Sequence, residues 1–187
     1  MRNRDDYTPG PAAGASVERD GDRWTLVLVR ELRHAPEKVW AALTEPAQLS
    51  QWAPFDADRN LSTTGTVRLS TVGAPDAQPT ESTVTRAEAP RLLEFGWGGN
   101  TMRWELEATA TGTRLKLWHA IPRGYIAWGA AGWHICFDVL DALLSDATLG
   151  RIVGPDAMHF DWQRLNTEYA AQLGVESPSW SPKNASA

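Results

Sequence analysis

The sequence feature that most constrains the fold is a long amphipathic stretch from Gly129 to Leu149. Its apolar residues recur with the i, i+3, i+4, i+7 spacing of one helix face: Trp133, Cys136, Phe137, Leu140, Leu143, Leu144 and Ala147. Polar residues take the opposite face: His134, Asp138, Asp141 and Ser145. At about 1.5 Å per residue, this predicted helix is roughly 30 Å long. Since so long an apolar face needs a broad surface to cover it, we expect a sheet wrapped around the helix.

Alternating apolar and polar residues before this helix predict that sheet. The first strand is Trp24–Arg33, and similar alternation predicts strands over residues 66–72, 79–89, 92–97, 102–108 and 115–119. Because the connections are short, we expect an antiparallel meander of about six or seven strands. Two short helices follow the first strand, with Pro36 and Pro46 at their first positions. A final amphipathic helix is predicted from Met158 to Leu173.

Length and composition favour one domain with loose ends. A chain of 187 residues with 42% hydrophobic content is ordinary for a single globular domain. Residues 1–21 are rich in Gly, Pro, Ala and charge, and residues 175–187 are rich in Ser and Pro. We therefore expect both ends to be disordered and residues 22–174 to form the domain.

Charge and cysteine content exclude several function classes. A formal net charge of -5 argues against nucleic acid as a partner, because phosphate binding needs a basic face. The sequence has no run of apolar residues long enough for membrane insertion, and residues 1–16 lack the apolar run of a signal peptide. The single cysteine, Cys136, allows no internal disulfide, which favours a cytoplasmic location.

Particular residues carry a resemblance to a known family. The stretch VRELRHAPEKVWAALTEPAQLSQW, residues 29–52, resembles the opening of START-like (SRPBCC) domains. The stretch LKLWH at residues 115–119, followed by Gly132–Trp133 and by LDALL at residues 140–144, is similar to the AHSA-type branch. This branch includes the C-terminal domain of the heat-shock-chaperone ATPase activator. The order of the predicted elements also resembles the helix-grip fold.

The resemblance implies an α+β helix-grip fold, in which a curved antiparallel sheet and the long C-terminal helix enclose an apolar cavity. Relatives bind lipids, polyketides or hormones there, and a minority cyclise or hydrolyse their ligand. The eukaryotic activator binds its chaperone through an additional N-terminal domain. We expect this chain to be a bacterial-type stand-alone domain without room for that addition, so chaperone stimulation is the less favoured expectation.

Aromatic and apolar residues are the candidate ligand contacts, and strand and helix phases place Trp97, Trp104 and Trp133 among them on inward faces. The full set is Trp52, Phe55, Phe95, Trp97, Trp104, Leu117, His119, Trp133 and Phe137. Each ring alone is better explained as core, and only their number, with ten tryptophans in the sequence, favours a cavity for a hydrophobic or aromatic ligand. Gly129 and Gly132 leave space over the sheet, either for close packing or for a cavity mouth.

His119 is the candidate for chemistry. It ends a strand on the face of Leu115 and Leu117, where its ring can bind a ligand or act as a general acid or base. The alternative is a neutral histidine bonded to a backbone carbonyl. The sequence offers no G-x-S-x-G motif, and Cys136 lies on the apolar face of the helix. Since no metal-ligand spacing is present either, we expect no metal and no cofactor.

Phase also predicts where five polar or amphipathic residues lie. Arg30 shares the face of Leu26 and Leu28. If that face is concave, Arg30 is a buried cation that needs a partner, and Glu81, Arg86 and Glu88 on a neighbouring strand are the candidates. Arg103 and Trp118 are predicted on the outer face of the sheet. His134 and Asp138, four residues apart on the polar helix face, are predicted to form an exposed ion pair.

The sequence thus predicts a protein that binds a small hydrophobic or aromatic ligand between a sheet and a helix. Two alternatives stay open. One is a polyketide cyclase-like or hydrolase-like enzyme that uses His119 as acid or base, and the other is a chaperone-accessory protein–protein module.

Overall fold

The computed structural model describes residues 3–178 of the chain. Its strands are β1 (Ala15–Asp20), β2 (Arg23–Leu32), β3 (Phe55–Ala57), β4 (Gly65–Thr71), β5 (Thr80–Glu88), β6 (Leu92–Trp97), β7 (Asn100–Thr109) and β8 (Gly112–Ala120). Its α-helices are α1 (Pro36–Thr44), α2 (Pro46–Leu49), α3 (Ile126–Leu144) and α4 (Trp162–Leu173). Short 3-10 helices cover Arg4–Asp6, Arg123–Tyr125 and Gly154–His159.

All eight strands form one antiparallel sheet in the order β1-β2-β8-β7-β6-β5-β4-β3. The sheet curls into a half-barrel around α3. This confirms the predicted helix-grip α+β fold, with the edge strands β1 and β3 added to the expected meander. The proline-initiated α1 and α2 follow β2 as predicted.

Strand β1 lies where the sequence analysis expects disorder. Ala15 and Val17 pair opposite Leu28 and Leu26, and Gly21, with a φ of 58°, makes the tight turn that a side chain disfavours. The charged residues of β1 interrupt the apolar alternation by which a strand is recognised in a sequence. An edge strand tolerates such residues because it exposes one face and one row of backbone groups to water. The expected C-terminal disorder over residues 175–187 falls, from residue 179 onward, outside the described residues.

Helix α3 begins at Ile126 rather than Gly129 and ends at Leu144 rather than Leu149. Its end is set by Asp146, whose φ of 57° is left-handed. The Ala147 N–H then donates to the Ala142 carbonyl at 2.9 Å, which closes the last turn in the manner of a Schellman motif. Helix α4 ends at Leu173, as predicted. The residue after it, Gly174, also has a left-handed φ, of 64°.

The interior beneath the second half of α3 is solid and aromatic. Trp104 lies at its centre, with ring centroids 6.2 Å from Trp52 and 6.1 Å from Phe137, both edge-on. Phe55 and Phe95 form a further edge-on pair at 5.7 Å. Such edge-to-face contacts add to the free energy that burial of these large rings contributes. This part of the interior holds the fold together.

The opposite face of α3 is covered. His134 and Asp138 lie close together as predicted, with Nε2 3.5 Å from Oδ2, but they are covered rather than exposed. Helix α4 and residues 7–14 lie over it: Tyr7 donates to the Asp138 carboxylate at 2.6 Å, and the Tyr169 hydroxyl lies 2.7 Å from His134 Nδ1. His134 is therefore only 5% exposed, and burial lowers its pKa. Helical spacing identified the polar face but not the segments that pack on it.

Arg30 also finds a partner that the sequence analysis did not name. Its guanidinium donates to Asp138 Oδ1 at 2.5 Å and to the His134 carbonyl at 3.3 Å. The named candidates lie on β5, four strands away in the sheet order, where Glu88 binds Arg86 and Arg91 instead. The prediction that Arg30 needs a partner holds, and only the partner changes.

The outer face of the sheet carries the residues predicted there. Trp118 stacks with the Lys116 ammonium 4.3 Å from its ring centroid and with Arg103 at 5.4 Å. Arg103 in turn pairs with Glu105. These cation–π and ion contacts satisfy a large ring on an exposed surface, so Trp118 does not belong to the interior.

Candidate ligand-binding site

A cavity of about 450 Å³ lies beside the first half of α3. Its wall combines the end of β4 with the following loop, the β6–β7 hairpin, the end of β8, the start of α3, residues 152–155 and Ala157. Small-molecule sites in proteins have volumes of about 300–1,000 Å³. This cavity is therefore large enough for a small organic ligand.

Small residues on α3 create the space. Gly129 and Gly132 both line the cavity, which supports the cavity-mouth alternative for these glycines. A Cβ atom added at Gly132 has Trp162 Nε1 as its nearest neighbour, at 4.0 Å. A Cβ atom at Gly129 instead meets Ile121 Cδ1 at 2.8 Å. Gly132 thus borders open space, whereas Gly129 also permits close packing.

Four tryptophans contribute large aromatic rings to the wall. Trp97 and Trp133 meet edge-on with centroids 6.0 Å apart, and Trp128 and Trp162 meet edge-on at 5.3 Å. Trp97 is held by a hydrogen bond from its Nε1 to Thr71 Oγ1 at 3.0 Å. Rings in these arrangements present both faces and edges to a ligand, which suits aromatic and other flat apolar molecules.

His119 is the buried polar group of this wall. The Trp133 indole N–H donates to His119 Nδ1 at 3.1 Å, and the Trp97 ring stacks on the imidazole with centroids 5.9 Å apart. Burial lowers the pKa of His119 from 6.5 to about 4, because the charged form loses its hydration. The imidazole is therefore neutral at physiological pH. Its Nε2 is buried without a hydrogen-bond partner among the described residues.

The described residues that line the cavity include no charged side chain. The thiol of Cys136 also lines it, but burial raises its pKa to about 12, so the reactive thiolate is absent at neutral pH. The wall therefore offers apolar surface and neutral hydrogen-bonding groups. It suits an uncharged ligand.

Two loops close over one side of the cavity through a contact between glycines. Gly73, after β4, and Gly154, after α3, have φ values of 82° and 57°. A Cβ atom at Gly154 would lie 2.8 Å from the Gly73 carbonyl oxygen. Only two residues without side chains permit this backbone approach. At this point the two loops approach each other through backbone atoms.

The predicted ligand-binding residues divide into two groups. Trp97, His119 and Trp133 line the cavity. The other six lie in the packed interior next to it and do not line the cavity: Trp52, Phe55, Phe95, Trp104, Leu117 and Phe137. Phase predicted Trp97, Trp104 and Trp133 to face inward, but inward-facing positions in this fold belong either to the cavity or to the packed core.

Sequence reasoning missed Trp128, Trp162 and residues 152–155 as parts of the wall. Trp128 directly precedes Gly129. Its position next to a glycine that was predicted at a cavity mouth was the sequence signal that could have identified it. Trp162 was recognised only as part of the last helix. Residues 152–155 form a connection without periodicity, so no pattern in the sequence marks them.

Among residues 3–178, no three His, Cys, Asp or Glu side chains cluster as metal ligands. Over the same residues, no helix has the length and apolar character to cross a bilayer. His34 Nε2 lies 3.2 Å from Ser145 Oγ and 3.6 Å from Asp141 Oδ1, and none of these three residues lines the cavity.

Comparison with known proteins identifies the relatives of this chain. The family described as Activator of Hsp90 ATPase homolog 1-like protein matches residues 33–145. A search of curated proteins found no match. The family match covers α1 through α3, which includes most of the sheet and the helix beside the cavity.

Several solved structures share the fold. Protein EF2215 from Enterococcus faecalis, a conserved protein of unknown function, has a TM-score of 0.66 at 19% identity, covering 84% of this chain and 89% of that one. CalU16 from Micromonospora echinospora has a TM-score of 0.62 at 16% identity, with coverages of 89% and 94%. An AHSA1-like protein from Aeromonas hydrophila has a TM-score of 0.54 at 19% identity, with coverages of 67% and 94%. At these identities the likeness concerns the fold alone.

Proposed function

Because this chain belongs to the family of Activator of Hsp90 ATPase homolog 1-like proteins, in the AHSA-type branch of the START-like (SRPBCC) fold, we propose that it binds a small, uncharged hydrophobic or aromatic ligand in the cavity beside α3. Family and fold point to ligand binding or to a chaperone-accessory role. The cavity favours the first of these. The sequence contains a single cysteine, so the protein needs no internal disulfide. This supports a cytoplasmic site of action.

The observation that carries the proposal is the cavity of about 450 Å³ with its tryptophan wall. A ligand that fills it exchanges water for aromatic surface, which stabilises the complex by about 25 cal/mol per Å² of apolar area buried. The uncharged lining offers no counterion, so an ionised ligand would lose its hydration without compensation. Both arguments favour a neutral, mostly apolar molecule.

The same geometry favours binding over catalysis. The nitrogen of His119 that accepts the Trp133 N–H cannot also take a proton from a ligand. The low pKa of His119, about 4, leaves little of its acidic form at neutral pH. Among the described residues that line the cavity, no carboxylate is present to act with it as a second catalytic group. A cyclase or hydrolase would need such a pair for general acid–base catalysis.

A native mass spectrum tests the proposal. The protein is purified from its own cells without detergent and measured under native and then denaturing conditions. We expect the native protein to carry a non-covalent small molecule that denaturation releases. A native spectrum that shows only the bare chain would contradict the proposal.

A pair of variants at Gly132 controls this experiment. Gly132→Phe places a ring in the open space next to Trp162, where a Cβ atom meets no atom closer than 4.0 Å, and we expect it to fold and to lose the bound molecule. Gly132→Ala adds one methyl group and is expected to retain it. If Gly132→Phe kept the same molecule, that molecule would be bound elsewhere.

The chaperone-accessory role rests on the family description alone. Its test is the ATPase rate of the Hsp90-type chaperone from the same cells, with and without this protein. An increase that persists in Gly132→Phe would assign chaperone stimulation to a surface separate from the cavity.

A further inference from the structure

We propose that the ligand carries a neutral hydrogen-bond acceptor, such as a ketone carbonyl, and that the Nε2–H of His119 binds it. This inference rests on the proposed function, because it assigns the chemistry of the ligand in the same cavity. It follows from the tautomer of His119, from the unpaired Nε2 and from the character of the surrounding wall.

The tautomer of His119 is set by its neighbour Trp133. An indole N–H can only donate, and it points at His119 Nδ1 over 3.1 Å. Nδ1 must therefore be the acceptor nitrogen of a neutral imidazole. The single ring proton then lies on Nε2, which makes Nε2 a donor.

This donor has no partner. His119 is only 5% exposed, and its Nε2 makes no hydrogen bond to any described residue. A buried donor left unpaired costs free energy, so nearly all such groups in folded proteins are paired. Trp104 Nε1 is also buried without a partner, but Trp104 does not line the cavity. Of these two donors, only that of His119 belongs to the cavity wall.

Nε2 is buried, so a neighbouring side chain must move before a ligand can reach it, and Trp97 is the candidate. The Trp97 ring stacks on the imidazole and is only half-buried, and its indole makes one hydrogen bond, to Thr71. Trp97 directly precedes Gly98 and Gly99, which form the turn of the β6–β7 hairpin with left-handed φ values of 59° and 79°. We expect this ring to shift when the acceptor of the ligand reaches Nε2.

The wall selects a neutral acceptor over an anion. No charged side chain lines the cavity among the described residues, and the imidazole itself is neutral near pH 7. A carboxylate or phosphate would thus be buried against neutral groups alone, without a counterion, which is unfavourable. A carbonyl oxygen on an otherwise apolar ring system satisfies Nε2 and leaves the aromatic contacts intact.

Matched probes test the inference: indane and 1-indanone, which differ by one carbonyl group. Their affinities are measured by isothermal titration calorimetry for the wild type, His119→Asn and His119→Gln. The Asn oxygen can accept from Trp133 in the manner of Nδ1, whereas the Gln amide nitrogen reaches the place of Nε2 and keeps a donor there. Near-UV circular dichroism checks that each variant is folded.

We expect the wild type and His119→Gln to bind 1-indanone about tenfold more tightly than His119→Asn does. Indane should bind all three proteins alike. Because a carbonyl is better hydrated than a methylene group, an apolar cavity without a donor would prefer indane. A wild-type preference for 1-indanone therefore reports the donor itself.

The outcomes separate the two proposals. If both probes bind the wild type, Gly132→Phe binds neither, and His119→Asn binds 1-indanone as tightly as the wild type, the inference is overturned and the proposed function stands. If neither probe binds the wild type, both are overturned. A second readout needs no variant: the Nε2 proton of the labelled imidazole should move downfield in the NMR spectrum with 1-indanone and not with indane, and an unmoved resonance would overturn the inference.

Discussion

The two halves of α3 face different environments, although they share one helix and one sheet. Residues 126–133 include most of the helix positions that line the cavity, and a Cβ atom added at Gly132 would meet open space. Residues 134–144 lie mainly on the packed core, where Phe137 meets Trp104 edge-on, and only Cys136 among them lines the cavity. The difference follows the side-chain volume on the inner face of the helix, with glycine at position 132 and phenylalanine at position 137. It teaches that the second half supplies stability, while the first half leaves space that a ligand can use.

The largest effect is expected in the solid half. Trp104→Ala should lower the free energy of unfolding by about 4 kcal/mol, because it removes a fully buried ring from a close-packed site. Urea unfolding followed by circular dichroism measures this loss. Trp97→Ala is the matched change in the cavity half and should cost less than about 2 kcal/mol, since its ring is half-buried. Equal losses would show that the two halves are packed alike.

The second effect is a pH dependence of the free energy of unfolding, and it arises on the cavity side from His119. The pKa of His119 is 6.5 before folding and about 4 in the folded protein. Above pH 6.5 the group is neutral in both states and contributes no pH dependence. As the pH falls from 6.5 to 4, only the unfolded state takes up the proton, so this residue should lower the stability by about 3 kcal/mol.

The control for this prediction is His119→Asn, which cannot titrate. Burial also lowers the pKa of His134, which gives a loss of the same sign in both proteins. The difference between the two stability–pH curves therefore belongs to His119. Parallel curves between pH 6.5 and 4 would contradict the low pKa.

A smaller effect concerns the polar contacts that cover the second half of α3. Asp138→Ala removes the partner of Arg30 and the acceptor of Tyr7, so we expect a loss of about 2 kcal/mol in the free energy of unfolding. Glu31→Ala breaks the exposed pair with Arg114 and should cost less than about 1 kcal/mol. Chemical unfolding of both variants compares them, and similar losses would mean that burial does not strengthen the Arg30 contact.

The smallest effect distinguishes the two glycines of α3. Gly132→Ala should raise the free energy of unfolding by up to about 1 kcal/mol, because Ala favours the helix and its Cβ meets open space. Gly129→Ala gains the same helix propensity but places its Cβ 2.8 Å from Ile121 Cδ1. We expect no gain there. Thermal unfolding of both variants measures the difference, and equal stabilisation would contradict the close packing at Gly129.

Local patterns predicted the helix-grip fold well, because alternation and helical spacing report directly which side of an element is apolar. They placed His119 and Trp133 inward and Trp118 outward, as the structure has them. They failed for β1, whose charged residues suit an edge strand, and for the end of α3, which a single left-handed Asp146 determines. They also failed for His134, since a polar helix face can be covered by segments distant in sequence.

The candidate site was predictable only in part. Phase showed that Trp97 and Trp104 both face inward, but one borders the cavity and the other the core. Whether an inward-facing ring borders the cavity or the core depends on the volume of the side chains opposite it. Those side chains come from other elements of the fold. Residues 152–155 and Trp162 join the wall from beyond α3, and nothing in their own sequence relates them to β6 or β8.

The sequence by itself determined six of the strands, the long helix, their inward faces and the family to which the chain belongs, because these depend on periodicity and on local residue order. The tertiary structure alone decided where the interior is empty, which partner Arg30 takes and which nitrogen of His119 carries the proton. The physical reason is that cavities, ion pairs and tautomers depend on the residues that meet across space, and chain order does not encode those distances.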